Sequence, residues 1–295
     1  MSNRQLRREQ RRLAGQGGRA TSARRPRRPA GGGGGSGGLF SLPYLITVGV
    51  IVLALIGVLV YFATRPNEAE AEAVASLRTA MEEIPRLKEE GLIDGTSMGR
   101  ADAPLQLDMF EDFQCPFCLR FTAFVESEFI DEFIRTGQLR ITYRHFPVFA
   151  GRESVQAAQA SECAAEQNAF WEYHHKLFLV QAEAGQLERE RIEVGRFSDE
   201  NLKRYAEELG LDMEQFNTCF DTDRYLEKVQ QDKQEGTAYG ITGTPGFVLN
   251  GRPLIGGAPS DIEGWKALFE QVLAEASPTP TSEEGDESGT PSSTP

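Results

Sequence analysis

Cys115-Pro116-Phe117-Cys118 constrains the fold more than any other stretch of this chain. The apolar run Leu105-Gln106-Leu107-Asp108-Met109-Phe110 precedes it and predicts a buried strand. Leu119-Arg120-Phe121-Thr122-Ala123-Phe124-Val125 follows it and begins a helical pattern, stopped by Gly137. A C-x-x-C at a strand-to-helix junction is a redox motif with a mechanism. Its first sulfur sits at a helix N-terminus, where free N–H groups and the helix dipole favour negative charge. That lowers the thiol pKa, and the thiolate is the attacking species. The second sulfur is near enough to displace whatever the first has captured. Pro116 suits a first helical turn, where its missing N–H costs nothing. Half a zinc site and a pair of buried thiols are the competing readings. Structural zinc usually takes four Cys or His ligands, commonly as a second close pair. Here Cys163 and Cys219 lie far from the motif, and adjacent His174 and His175 are expected to diverge from one helix, so no metal is assigned.

The charge is split along the chain. Residues 1–38 carry ten arginines and one acid, Glu9, for +9, in a chain of formal net charge −13; the remainder is therefore at −22. Residues 1–30 have almost no large apolar side chains and are expected to be disordered, with a glycine spacer after them to residue 38. Tyr44 to Ala63 has no charge, and twenty residues rising ~1.5 Å each cover ~30 Å, a bilayer core. Tyr44, Tyr61 and Phe62 flank it as interfacial aromatics do. Arginines on its N-terminal side predict a cytoplasmic N-terminus and an extracytoplasmic remainder. The arginine tail is also of a composition that binds nucleic acid, but it leads directly into the span, so no nucleic-acid partner is assigned. A cleaved signal peptide is the competing reading of the apolar run, which is long for one; the nearest small-x-small pattern, Ala71-Glu72-Ala73, falls well past its end. In either case the four cysteines face an oxidising space.

Glu68 to Ile84 predicts an amphipathic helix with Val74, Leu77, Met81 and Ile84 on one face, ended or bent by Pro85. That stripe packs on its own domain or pairs two chains. Gly91 to Pro104 reads as a loop. Leu139 to Phe146 alternates as a second strand, so the motif helix becomes the crossover of a βαβ unit. From about Glu153 to Tyr239 the pattern is helical: one long stretch over Ser154–Val180, then three helices opened by Ser198, by Asp212 and near Asp223. Gly246-Phe247-Val248-Leu249, the turn signal Asn250-Gly251 and Arg252-Pro253-Leu254-Ile255 predict a hairpin, followed by a helix capped at Ser260-Asp261. Residues 277–295 are Ser, Thr, Pro, Gly and acids, and are expected to be disordered.

The order strand, CPFC, helix, strand, helical insertion, Thr244-Pro245, hairpin, helix resembles a thioredoxin fold of the DsbA-like type. Asp112-Phe113-Gln114 before the cysteines, Phe170-Trp171-Glu172-Tyr173-His174, and Gly240-Ile241-Thr242-Gly243-Thr244-Pro245-Gly246 are similar to signatures of its membrane-anchored bacterial branch. The likeness runs from about Met98 to Ala276. The expected organisation is a tail (1–38), an anchor (44–63), a juxtamembrane helix and linker (66–97), an α/β thioredoxin domain (98–276, helical insertion about 150–239) and a second tail (277–295).

The resemblance implies that Cys115 is the nucleophile and Cys118 the resolving thiol, with Pro116 and Phe117 supporting them. It implies a cis Thr244-Pro245 peptide facing the cysteines, where the Thr244 backbone pairs with an extended substrate. It also implies that Cys163 and Cys219 form a structural disulfide, stabilising by ~4 kcal/mol in the chain-entropy model; two buried free thiols are the other reading. The implied activity is extracytoplasmic thiol–disulfide exchange, with cysteine-containing envelope proteins as substrates and a membrane redox partner as reoxidant. No flavin, nicotinamide or metal motif is present, so no cofactor is assigned. A reductase or isomerase, and a non-catalytic peptide-binding module, remain open.

Two positions depart from the family pattern. Phe117 stands where many strongly oxidising relatives have histidine, which weakens stabilisation of the thiolate and with it the oxidising power. Met109 stands where thioredoxin-like proteins often bury an acid; Asp108, Glu111 or Asp112 could substitute as proton acceptor, or be merely solvated. His145, His174 and His175 read as structural.

Overall fold

In a computed structural model, residues 42–64, 68–188 and 190–276 are described; both tails expected to be disordered, with the glycine spacer, lie outside them. The chain divides into two compact units, residues 1–64 and 65–295. In the first, α1 (Leu42–Thr64) is an uninterrupted helix. Its stretch Pro43–Tyr61 has a mean hydropathy of 2.6 and is long and apolar enough to cross a membrane, and Leu45, Val50, Leu53 and Leu59 stand exposed.

The second unit opens with α2 (Glu68–Glu89), which runs through Pro85 rather than ending there. Ala73, Leu77, Ala80, Ile84 and Leu87, spaced four and three apart, are buried. They lie along α6 (Phe170–Glu183), so the stripe is spent on this chain's own domain. Arg78–Glu183 at 2.6 Å and a close Lys88–Glu172 pair flank that seam.

The segment 91–104, read as a loop, holds two short strands, β1 (Ile93–Asp94) and β2 (Ser97–Met98), at one edge of the sheet. Then come β3 (Leu105–Glu111), α3 (Pro116–Phe121) and β4 (Leu139–His145). The motif helix is less regular than its sequence pattern. After α3 it widens into a π-helical turn at Thr122–Glu126, tightens at α4 (Ser127–Phe129) and widens again at Ile130–Ile134. The helical block comprises α5 (Glu153–Ala165), α6, α7 (Asp199–Glu208), α8 (Met213–Phe220) and α9 (Leu226–Ala238). The stretch expected as one long helix over 154–180 is broken at residues 166–169, where Asn168 takes φ 56°, a left-handed conformation that asparagine tolerates. Ser198 and Asp212 cap α7 and α8 through their side-chain oxygens. β5 (Gly246–Leu249), β6 (Arg252–Pro253) and α10 (Ile262–Ala276) complete the domain.

The six strands are ordered β1-β2-β4-β3-β5-β6, with β3 and β4 parallel and every other pair antiparallel. This is an α/β thioredoxin fold with a helical insertion between β4 and β5. Register fixes the faces. Met109 opposes Tyr143, Glu111 opposes His145, and Phe247 opposes Met109, so all share one face. That face packs the main core, including Phe121, Phe129, Trp265 and Phe269 from α3, α4 and α10. The other face is smaller: Phe110 and Val248 meet Phe146 and Ile241 beneath α9. Cys163 on α5 and Cys219 on α8 are joined in a disulfide, Cα–Cα 5.7 Å, inside the helical block.

Candidate active site

Cys115 occupies the N-cap position of α3, with extended backbone (φ −75°, ψ 123°) and Pro116 directly after it. No side chain caps this end, so the first N–H groups face the sulfur unclaimed. Cys115 and Cys118 are free thiols in this structure. Cys115 Sγ lies 3.3 Å from the carbonyl oxygen of Thr244, across the cis Thr244–Pro245 peptide. The motif and the Thr-Pro turn, 129 residues apart in sequence, therefore meet at one point.

The two thiols are polarised in opposite directions. The Cys118 sulfur beside it, the Thr244 side chain and the backbone N–H groups of Phe117 and Cys118 pull the Cys115 thiol down to about 7 against its burial. Burial pushes the Cys118 thiol well above its ordinary range, with Cys115 and Glu111 adding to the push. One sulfur is thus poised to ionise near neutrality while its neighbour keeps its proton.

The loop ahead of the motif is pinned from all sides. Asp112 Oδ1 accepts from Gln114 N (2.9 Å) and from Ser154 Oγ (2.7 Å), and its Oδ2 accepts from Val148 N (2.8 Å). Gln181 Nε2 donates to Phe113 O, and Gln186 Nε2 to Gln114 O. Of the three acids the sequence offered, Asp112 is occupied in this way and Asp108 pairs with Arg144 at 3.1 Å. Glu111 differs: it is 1% exposed, and neither carboxylate oxygen has a hydrogen-bond partner among the described residues. Burial raises its carboxyl well above the usual carboxylate range, with Glu126 and Cys115 adding to the effect.

Outside the motif the surface is apolar. Phe117 is 66% exposed and stands beside a groove of about 300 Å3 lined by Phe121, Val125, Pro245, Phe247 and Ala258. Arg120 and Ser260 are the groove's polar edge.

Two buried groups of ligand-type side chains lie behind the site, each with its reactive atoms within 4.8 Å: His145, Glu162 and Asp232, and Glu126, His174 and His175. In the first, Lys228 Nζ sits 3.0 Å from Glu162 and 2.9 Å from Asp232, and His145 Nε2 is 2.8 Å from Glu162, so the group is a closed charge network. In the second, the sequence expectation fails. His174 and His175 do not diverge: their Nε2 atoms lie 3.9 and 3.3 Å from the two oxygens of Glu126. Long rings swing together where backbone directions differ. Glu126 itself was not singled out from sequence; it is one acid inside an apolar helical run, and nothing local marks it.

A helix-capping thiol, a buried partner and a cis-proline turn, gathered on this strand order, define a dithiol protein of the thioredoxin class by fold. The chain belongs to the thioredoxin family: the family model described as Thioredoxin matches residues 92–271. The structure is similar to oxidised BdbD from Bacillus subtilis (23% identity, TM-score 0.52, covering 61% of this chain and 93% of that one). It is likewise similar to Wolbachia pipientis alpha-DsbA1 (21% identity, TM-score 0.50, covering 64% and 96%). Among curated proteins, the Na(+)/H(+) antiporter NhaA 1 of Mycolicibacterium gilvum is 35% identical over 160 residues, which is 52% of this chain and 23% of the antiporter. The Na(+)/H(+) antiporter NhaA 3 of Salinispora tropica is 32% identical over 179 residues, 60% of this chain and 24% of that one. The chain thus spans about a quarter of the length of these relatives.

Proposed function

We propose that this chain is an extracytoplasmic thiol–disulfide oxidoreductase, tethered by Leu42–Thr64 with its N-terminus in the cytoplasm. Its reaction is exchange between Cys115–Cys118 and cysteine-containing proteins of the cell envelope, in the oxidising direction. The observation that carries this reading is the opposed polarisation of the two thiols beside Thr244.

A substrate thiolate attacks Cys115 Sγ, the Cys115–Cys118 bond breaks, and Cys118 departs with the electron pair. A second substrate thiolate then attacks the substrate sulfur of the mixed disulfide, and Cys115 leaves as the thiolate that its surroundings favour. Cys118 departs into a buried space, where a bare thiolate is costly, so it needs a proton at once. Glu111 is the group placed to give it, being buried, unpaired and electrostatically felt by Cys118. The Thr244 backbone offers strand-type pairing to an extended substrate, and the groove beside Phe117 offers it apolar surface. A membrane redox partner would reset the disulfide. Cys163–Cys219 serves as a structural bridge in this reading.

Cys118→Ala tests the core of the proposal. Mixed disulfides with envelope proteins should accumulate on Cys115 and disappear when Cys115 is also replaced by Ser; if none accumulate, the peptide-binding reading replaces this one. Phe117, in place of a histidine, favours the second reading of a reductase or isomerase. A reduction potential near −270 mV, that of thioredoxin, would select it.

A further inference from the structure

We propose that Glu126, clasped by His174 and His175, is a positioning residue for the exchange: it sets whether Glu111 holds the proton that Cys118 needs. The inference rests on the reading of Glu111 as proton donor and goes one residue further back. It starts from an arrangement the exchange reaction does not by itself require. Glu126, His174 and His175 are completely buried, yet among the described residues the Glu126 carboxylate makes no aligned hydrogen bond and the facing Nε2 atoms make none either. Buried polar groups left in this state are rare and call for an account.

Tautomer logic supplies one. His175 Nδ1 lies 2.8 Å from the carbonyl oxygen of Trp171. A carbonyl can only accept, so Nδ1 carries a hydrogen. Nε2 then faces Glu126 Oε1 at 3.3 Å either as a lone pair or as a second N–H. A lone pair against a carboxylate is repulsive, so one proton belongs to the pair in every stable arrangement. Burial pushes the Glu126 carboxyl up, and His175 beside it pulls it partway back toward the ionised form. Burial, His175 and His145 hold His174 well below its ordinary range, so it faces the pair as a neutral ring. The backbone serves the same arrangement. Glu126 ends the π-helical turn Thr122–Glu126, four residues beyond Thr122, and both side chains are buried. Single π-helical turns inside α-helices gather at functional positions.

The coupling to the cysteines is electrostatic. Glu126 is second only to burial in raising Glu111, and Glu111 in turn raises Cys118. Tyr143, whose hydroxyl is also buried and has no partner among the described residues, packs its ring on His174 at 5.2 Å and shares a sheet face with His145, the register partner of Glu111, so the Glu126 cluster and Glu111 lie on one face. Burial, Glu111, Cys118, Asp112 and Glu126 all push the Tyr143 hydroxyl up. The titratable groups gathered there are Glu111 from β3, Tyr143 and His145 from β4, Cys118 from α3, and His174 and His175 from α6; aromatic rings of Phe113, Phe170 and Phe178 close the wall. The signs follow. Removing the Glu126 charge lets Glu111 give up its proton at lower pH. Removing His175 lets Glu126 take a proton, which removes the same charge.

The test is the reduction of the oxidised full chain, in detergent, by dithiothreitol in a stopped-flow instrument between pH 5 and 9. Each rate is divided by the fraction of dithiothreitol present as thiolate. The wild-type corrected rate should fall with rising pH as Glu111 loses its proton. Glu126→Gln should move that fall to lower pH; a displacement of one unit would lower the rate at the wild-type midpoint about five-fold. His175→Asn should move it the same way, and the double variant no further than Glu126→Gln alone. A uniform loss at every pH, with the fall unmoved, is what a merely structural role gives and overturns the inference. So does a stoichiometric divalent metal in the purified protein that Glu126→Gln abolishes. Glu111→Gln separates the two layers. A profile still falling in that variant sinks the Glu111 reading and this inference with it. A flat profile there, with Glu126→Gln like wild type, sinks this inference alone.

Discussion

Raising the pH should stabilise the reduced protein relative to the oxidised one, and the site geometry fixes the size of the effect. The reduced form carries a Cys115 thiol drawn down from 9.0 to about 7; the oxidised form has no thiol to titrate there. A group whose folded pKa is depressed contributes stability above its unfolded value and loses it as the pH falls through the folded value. With 1.36 kcal/mol per unit, the contribution grows from ~0.1 kcal/mol at pH 6 to ~0.4 at pH 7, ~1.4 at pH 8 and ~1.9 at pH 8.5. Cys118 works in the opposite sense: its thiol is raised, so it costs stability once an unfolded thiol would ionise, above about pH 9. Between pH 6 and 8.5 Cys118 therefore adds little, and making the measurement in Glu111→Gln removes the share of the buried carboxyl, which Cys115 also raises, and leaves Cys115. Urea unfolding of the full chain in detergent, reduced and oxidised at the active site, followed through the buried Trp171 and Trp265, measures the difference. The reduced-minus-oxidised stability should rise by about 1.8 kcal/mol across that window, equivalent to roughly 40 mV in the potential of the pair. A flat or falling difference would refute the idea that the environment of Cys115 favours its thiolate.

Two further outcomes test the scaffold. Replacing Cys163 and Cys219 together by Ala removes a bridge between residues 56 apart in sequence and should cost about 2–5 kcal/mol in the same urea assay; an unchanged midpoint would mean that the bridge constrains nothing. Gly236 on α9 leaves a Cβ no room, with Phe110 and Phe146 ring carbons at 2.8 Å from where it would sit. Gly236→Ala would gain ~1 kcal/mol of helix propensity and lose ~1–3 kcal/mol to overpacking, so the melting temperature should fall; a rise would show that the two rings yield freely.

Features that repeat at a period, or that fix a chain reversal, were legible in the sequence. Leu105, Leu107 and Met109 alternate, as do Leu139, Ile141 and Tyr143, and these six build the parallel centre of the sheet. Asn250-Gly251 marks its hairpin, with both residues at positive φ. The edge strands Ile93–Asp94 and Ser97–Met98 were not legible, because two residues carry no alternation; they exist because Ser97 and Met98 find Thr142 and Ile141 on an already formed strand. The widened turns after Phe121 were missed for a different reason. A π-helical turn needs no distinctive residue, only one more side chain per turn facing inward, and the apolar run Phe121–Phe124 looks the same in either winding.

That difference also explains which half of the candidate site the sequence could disclose. Cys115, Cys118, Thr244 and Pro245 are set by backbone placement: a helix start, a cis peptide, a sulfur within 3.3 Å of a carbonyl. Such features have local signatures, since proline and a two-residue cysteine spacing leave few conformations open. Glu111, Glu126, His174 and His175 are brought together by shared burial, which no local pattern encodes. Glu111 is one of three candidate acids that the sequence does not rank, and Glu126 and the two adjacent imidazoles of α6 read alone as ordinary polar residues on apolar faces. They act on one another because the sheet register sets Glu111 beside His145 and because α6 lays two imidazoles across a single carboxylate. Burying four ionisable groups together is expensive unless their protons are shared, and it is tolerated where a proton must be delivered out of reach of water. In the proposed exchange the departing Cys118 sulfur, fully enclosed, is such a place.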